Sequence, residues 1–349
     1  QNFDWSRVTT VAWPRDEGTA LVCEAHKHGA RIISGSPPIL FSPDPAKRRE
    51  WVDSLIASLK SRFLDGVTFD YETPLDKAPG SPTAANASQY VALVKETTAA
   101  LHAAIPGSQV SVCVAWSPDN IDGRNYDYAA LAEASDLLYV MAYDTRSQIY
   151  GRCVASANSP LAVAERGLSR YMQLGIPASK LVLGTPWYGY SYPCVNQTPD
   201  DADVCSIRLV PFRGVNCSDA AGVEVGYMHI MNLLDRDVCP PGLGTRCAVV
   251  RTGGGALPRW DASTQSPYFN YRADGELRQM WFDDPTSSGL KYAAAMRLGV
   301  RGVGPFTWDD LDGDGSLTGN PDAPREAQQM WAALDVVAGG RGQGASEPV

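Results

Sequence analysis

The chain has 349 residues, enough for one large barrel or two ordinary domains, and its 44% apolar and 20% charged content is that of soluble globular proteins. Its 30 basic and 39 acidic residues leave a net charge of −9 with no basic stripe, which argues against nucleic acid as a partner. No apolar run is long enough to span a membrane, and no signal peptide stands at Gln1, as in a mature or trimmed chain.

Residues 8–13 read as a strand, followed by a polar helix pattern up to His28 and a second short strand over 30–35. Asp44-Pro45 supplies a cap and a first-turn proline for a helix whose buried stripe is Val52, Leu55, Ile56 and Leu59. A strand over 65–72 precedes a helix with Tyr90, Val94, Thr97 and Leu101 on one face. Strands over 109–116, 137–144 and 180–190 then alternate with helices over 126–134 and 160–174, the second started by Ser159. Residues 191–284 break this rhythm with five cysteines, a short helix near 227–234 and a hairpin over 268–282 that turns at Asp274-Gly275. A helix over 287–298, a last strand over 302–308 and a closing helix marked by Met330, Leu334 and Val337 follow. Residues 339–349 read as a disordered tail.

Strands alternating with helices predict a parallel α/β sheet, and the regular repeat favours a (β/α)8 TIM barrel over a doubly wound sheet. Residues 1–190 and 285–338 are the expected barrel, with 191–284 as an inserted, disulfide-rich α+β subdomain. Barrel sites lie at the C-terminal strand ends, which here carry Glu72, Trp116, Tyr143, Asp144, Trp187, Tyr188 and Trp308. A single aromatic there is more often core packing, but a ring of them with carboxylates fits stacking on the apolar faces of sugars.

The eight cysteines show no C-x-x-C spacing and only four His accompany them, so neither a zinc site nor another metal or cofactor is expected. Five crowd the Pro/Gly-rich segment, which points to an oxidising compartment. Cys194–Cys205 and Cys239–Cys247 are the preferred loop closures, although spacing alone does not prove connectivity. Sequons at Asn86, Asn196 and Asn216 agree with a secretory route, lysosomal or extracellular.

The stretch Asp65-Gly66-Val67-Thr68-Phe69-Asp70-Tyr71-Glu72 is a β-branched and aromatic run ending in acid. Strand alternation puts Thr68, Asp70 and Glu72 on one face. Two carboxylates that close oppose each other's ionisation, so one pKa is expected to rise, as a general acid requires. The plainer reading is a polar strand end that binds an Arg or a helix N-terminus.

The stretch also resembles the D-G-x-x-x-D-x-E signature of family 18 glycoside hydrolases, the chitinase family. The resemblance implies that Glu72 protonates the glycosidic oxygen, that Asp70 orients the substrate's acetamido group, and that Asp65 and Thr68 lie behind them. Thr68 replaces the family's usual Asp or Asn. Met141-Ala142-Tyr143-Asp144 is similar to the sixth-strand motif, which implies that Tyr143 and Asp144 bind the distorted sugar above Trp308. Trp281-Phe282-Asp283-Asp284 resembles a W-Y-D-[DN] stretch that reaches substrate, with Phe282 in place of the hydroxyl-bearing tyrosine. Further segments, among them Phe3-Asp4-Trp5-Ser6, Pro186-Trp187-Tyr188-Gly189-Tyr190 and Cys217-Ser218-Asp219-Ala220-Ala221-Gly222, extend the resemblance over nearly the whole chain, to an exo-acting subfamily.

The implied activity is retaining, substrate-assisted exo-hydrolysis of β-1,4-linked N-acetylglucosamine, on chitooligosaccharides and the chitobiose core of asparagine-linked glycans. Family 18 departs from the two-carboxylate glycosidase scheme, the substrate's acetamido oxygen acting as nucleophile. The competing readings are an inactive chitinase-like lectin or structural subunit, and an endo-acting chitinase. Asp310-Leu311-Asp312-Gly313-Asp314-Gly315 has the order of a calcium loop, but Pro321 stands where the twelfth-position Glu belongs, so an acidic rim loop is expected. The signature falls on the third of seven counted strands although the family carries it on the fourth, so the first barrel strand is expected upstream of Gln1 or from a separate peptide.

Overall fold

The computed structural model describes residues 3–14, 17–145, 152–196, 198–251 and 256–340. The first half runs β1 (Thr10–Ala12), α1 (Thr19–Lys27), β2 (Arg31–Gly35), α2 (Pro45–Ser61), β3 (Gly66–Phe69), β4 (Leu75–Asp76), α3 (Ala84–Ala104), β5 (Gln109–Ala115), β6 (Arg124–Asn125), α4 (Tyr128–Ala134) and β7 (Leu137–Met141). It continues with α5 (Leu161–Gln173), β8 (Leu181–Pro186), β9 (Tyr188–Pro193), β10 (Val223–Gly226), α6 (Tyr227–Arg236), β11 (Cys247–Val249), β12 (Arg259–Asp261), β13 (Ser266–Ala273) and β14 (Glu276–Trp281). It closes with α7 (Pro285–Arg297), β15 (Gly302–Phe306), α8 (Ala323–Ala332) and α9 (Asp335–Gly340).

Seven parallel strands form one sheet in the order β1-β2-β3-β5-β7-β8-β15, with helices packed against it, an α/β architecture of the TIM-barrel kind. Among the described residues no strand pairs with the outer edge of β1 or of β15. Val67, Val110, Val112, Leu138 and Val140 are fully buried in this sheet, and each such side chain contributes about 1.5–3 kcal/mol. Gly66 is required where it stands, because a Cβ there would meet the Gln109 carbonyl oxygen at 2.0 Å. α2 begins as its sequence predicts: the Asp44 side chain accepts from Ala46 N at 2.9 Å and Pro45 follows. Val52, Leu55 and Leu59 are buried and Ile56 packs at the margin. Tyr90, Val94, Thr97 and Leu101 form the buried face of α3.

A second, six-stranded antiparallel sheet runs β10-β9-β14-β13-β11 with β12 on β13. The hairpin turning at Asp274-Gly275 is present as β13 and β14. In the same sheet, β9 corrects the single strand expected over 180–190. That strand breaks at Trp187: Pro186 has no N–H for a further ladder bond, the Trp187 N–H donates to Phe306 O at 2.7 Å, and the chain changes sheets. Ser159 does not start α5 through its side chain; Pro160 holds the cap position and Ser159 Oγ donates to Ala142 O at 2.5 Å. α9 runs into the stretch expected to be a tail, and residues 341–349 lie outside the described residues.

Three disulfides are present: the two preferred closures, Cys194–Cys205 and Cys239–Cys247, and a third, Cys153–Cys217, that joins segments 64 residues apart. No helix among the described residues is long and apolar enough to cross a membrane. Asp312 spends its carboxylate on the N–H of Leu317 and Thr318 and on the Thr318 hydroxyl, which folds the acidic rim loop onto itself.

Candidate active site

β3 ends at Phe69, its fourth residue, so Asp70 and Glu72 stand beyond its C-terminal end rather than within it. The single shared face expected of Thr68, Asp70 and Glu72 is therefore resolved into two directions. Thr68 points to the interior with its Oγ1 3.6 Å from Cys113 Sγ. Asp70 is mostly enclosed, and its Oδ1 is buried without a hydrogen-bond partner. Glu72 turns outward to Arg124, whose Nη1 donates to Oε2 at 2.8 Å. The upward push expected of the pair is felt at Asp70: burial first, then the neighbouring charge of Glu72, raise its carboxyl to about 6, partly offset by Arg124.

Asp65 is not near this chemistry. It sits at the opposite end of the strand, where Oδ2 accepts from Ile32 N and contacts His26 Nε2, each at 2.8 Å. Its work is to join β2, β3 and α1.

A second group of polar side chains stands beyond β7, two strands along the sheet from β3. Asp144, just past β7, is held in a left-handed conformation (φ 51°) by its N–H bond to Asn158 Oδ1 at 2.7 Å. Its Oδ1 accepts from Tyr188 OH at 2.6 Å and from Tyr190 OH at 3.1 Å. Burial raises the Asp144 carboxyl to about 7, against the stabilising tyrosine hydroxyls, with Asp219 and Glu224 adding to the rise. The Tyr143 ring stacks on Phe306 at 5.5 Å and meets Tyr188 edge-on at 6.1 Å. Burial also lifts the Tyr143 and Tyr188 hydroxyls well above the ordinary tyrosine range, so both are neutral donors. Cys113 and Tyr139 are electrostatically coupled to Asp70 on one side and to Tyr143 on the other.

The remaining expected residues divide. Trp281 lies in the same apolar cluster as Tyr143 and Tyr188, stacked on Tyr268 at 4.6 Å. Trp308 is half-buried beyond β15, against Phe3 at 4.5 Å. Trp116 lies against α5 with the Arg166 guanidinium 5.5 Å from its ring centre. Trp187 is fully enclosed, edge-on to Trp331, with Nε1 donating to Tyr292 OH at 3.3 Å. Asp283 is buried in an ion pair with Lys291 and accepts from Ser287 Oγ at 2.6 Å. Phe282 is buried edge-on to Phe269. Asn196 and Asn216 are exposed and Asn86 is half-buried in the first turn of α3. Arg124, Phe306 and Tyr190 are brought to the site without having been singled out in the sequence. Only Tyr190, in a Tyr-rich strand, carried any signal. Among the described residues no group of three or more His, Cys, Asp or Glu is placed to hold a metal ion.

The carboxylate pair beyond β3 and the tyrosine-held carboxylate beyond β7 both lie within a stretch that matches a known sequence family. Residues 25–311 match the model of glycosyl hydrolases family 18. The chain belongs to family 18. Among its relatives, the di-N-acetylchitobiase of Rattus norvegicus is 39% identical over 337 residues, covering 96% of this chain and 84% of that protein. The human di-N-acetylchitobiase is 38% identical over 336 residues, covering 96% and 80%. Probable di-N-acetylchitobiase 2 of Dictyostelium discoideum is 38% identical over 342 residues, covering 95% and 82%. The fold is similar to that of an Ostrinia furnacalis Group IV chitinase solved with allosamidin, with a TM-score of 0.68 at 17% identity over 97% of this chain and 93% of that one. This family 18 glycoside hydrolase is thus of the chitobiase/chitinase type, and its barrel architecture is the family's.

Proposed function

We propose that the chain hydrolyses β-1,4-linked N-acetylglucosamine by a substrate-assisted, retaining reaction. It releases the reducing-end sugar from chitooligosaccharides and from the chitobiose core of freed asparagine-linked glycans. One observation carries the reading: Asp70 and Glu72 stand together beyond β3 with Asp70 pushed up to about 6, on a chain similar throughout to di-N-acetylchitobiases.

In this mechanism Glu72 gives its proton to the glycosidic oxygen as the bond to C1 breaks. The substrate's own acetamido oxygen attacks C1, forming an oxazolinium. Asp70, which holds or releases a proton near pH 6, accepts from the acetamido N–H and balances the positive charge that develops there. The neutral Tyr143 hydroxyl donates to the acetamido carbonyl, and Asp144, held by two tyrosines, binds a sugar hydroxyl. Glu72 then removes a proton from water, which attacks C1 from the face the leaving group vacated, and the β-configuration is retained. Trp308 and Trp281 supply apolar faces for the sugar rings. Trp116, Trp187 and Asp283 act through the packing and ion pairing that hold these groups in place.

Three disulfides and exposed sequons support a secretory lumen, lysosomal or extracellular, as the place of action. We read the antiparallel sheet as the core of a subdomain inserted into the barrel over 191–284. We also read the uncovered edges of β1 and β15 as the seat of an eighth parallel strand, whatever chain supplies it.

The test is turnover of chitobiose followed by proton NMR. The reading predicts free N-acetylglucosamine with the β-anomer formed first, and loss of turnover on the de-N-acetylated disaccharide. Binding without release would favour a lectin, and equal rates on both disaccharides would remove the acetamido group from the mechanism.

A further inference from the structure

Between β9 and β10 the chain makes a tight hairpin over residues 212–215. Phe212 N donates to Val215 O at 2.8 Å and Val215 N to Phe212 O at 2.9 Å. Both central residues have positive φ, 42° at Arg213 and 91° at Gly214, the pattern of a type I′ turn. Asn or Asp is the usual first central residue there, and a long side chain in this conformation is costly. What Arg213 gains is contact. Its Nη1 donates to the Glu72 carbonyl oxygen at 3.1 Å and lies 3.9 Å from Asp122 Oδ2, while its guanidinium carbon sits 5.1 Å from the centre of the Phe212 ring.

The base of the hairpin is tied twice. Cys217 is bonded to Cys153, which follows β7, and Ser218 Oγ donates to Val210 O at 2.9 Å. A segment from the antiparallel sheet is thus fixed against the loop after β5 and against the backbone of Glu72 itself. Asp122, Arg124 and Arg213 thus gather at Glu72: Arg124 at its carboxylate, Arg213 at its carbonyl oxygen, and Asp122 beside both guanidinium groups. A general acid must touch the oxygen of the bond it breaks, so groups anchored on Glu72 stand beside that bond.

We propose that the 212–215 hairpin, pinned by Cys153–Cys217 and docked through Arg213, closes the leaving-group side of the cleft and limits the released product to a single sugar. Arg213 is the specificity-determining residue, and the proposal rests on the exo reading given above. The platform of Arg213 over Phe212 forms the end wall, and a leaving group of two sugars would have to displace it.

The experiment follows the first-formed products of chitotetraose. Arg213→Gly keeps a residue at ease in the left-handed turn while removing the side chain, and Cys153→Ser with Cys217→Ser releases the base independently. The wild-type chain is expected to give monosaccharide and trisaccharide. In each variant the ratio of disaccharide to monosaccharide should rise at least about tenfold, a change equivalent to about 1.4 kcal/mol of discrimination. Active variants with the wild-type ratio would overturn the hairpin's role and leave the exo reading standing. Disaccharide from the wild-type chain at the first turnover would overturn the exo reading and the proposal with it.

Discussion

Arg124 donates through Nη1 to Glu72 Oε2 at 2.8 Å, and the two ends of this bond differ sharply: the arginine side chain is 7% exposed and the glutamate side chain 51%. The guanidinium is fixed from behind by Asp122 Oδ2 at 3.2 Å. A buried cation held on both sides therefore sets where an exposed acid rests.

Arg124→Met removes that anchor together with its ion pair to the buried Asp122 carboxylate. Breaking a fully buried pair costs about 3–5 kcal/mol, and the exposure of Glu72 puts this case at the low end, about 3 kcal/mol. Misplacing the acid should also lower kcat by roughly 10². Arg124→Lys keeps the charge without the forked geometry and should fall between. Chemical denaturation and chitobiose kinetics measure both effects. Wild-type stability and kcat in Arg124→Met would show that the contact is incidental.

Asp70 makes a pH prediction with a definite sign. Its folded carboxyl is raised to about 6, above the roughly 3.9 of an unfolded chain. The folded form binds this proton more tightly, so Asp70 costs nothing below about pH 4 and its penalty grows as pH rises through about 6. Two units correspond to about 3 kcal/mol, reduced to about 2 because the group is not fully enclosed. Asp70→Asn should therefore match the wild type in stability at pH 4 and exceed it at pH 7.5, while losing activity at both. Parallel stability curves over that range would contradict the raised carboxyl.

Lys291 and Asp283 form a fully enclosed ion pair between α7 and the segment that precedes it. Lys291→Met leaves Asp283 with only Ser287 Oγ as a described side-chain partner and should cost about 3–5 kcal/mol. Adding Asp283→Leu should recover much of it, because an apolar pair of similar volume needs no desolvation. A double-mutant cycle by thermal unfolding measures the recovery. A large rise in KM for Asp283→Asn at unchanged stability would instead assign this residue to substrate.

These relationships separate what is legible in a sequence from what is not. The α2 cap was legible because Asp44 and Ala46 are two residues apart and the signal is local. Cys194–Cys205 and Cys239–Cys247 close short loops, so proximity in the chain predicts them; Cys153–Cys217 spans 64 residues and only the tertiary fold brings it together. Asp70, Glu72, Tyr143 and Asp144 stood out in the sequence because strand ends and a signature-like stretch mark them. Arg124 and Arg213 reach Glu72 from 52 and 141 residues away, and no spacing encodes that. The break at Trp187 was hidden because aromatic, strand-forming residues resume directly after Pro186, although they pair in a different sheet. The buried ion pair of Asp283 was not legible because Lys291 lies two helical turns on and burial is a property of the packed core.

The central claim is that Glu72 supplies and recovers the proton in the hydrolysis of the N-acetylglucosamine linkage. Glu72→Gln preserves size and hydrogen bonding to Arg124 while removing the transferable proton. Loss of general acid catalysis costs about 10² to 10⁴ in rate, and the upper end is expected because both steps use this residue. The deciding measurement is the chitobiose turnover number of folded Glu72→Gln beside the wild type at the same pH. A fall of about 10⁴ with an unchanged unfolding curve is the predicted result; turnover within a few-fold of the wild type would place the acid elsewhere.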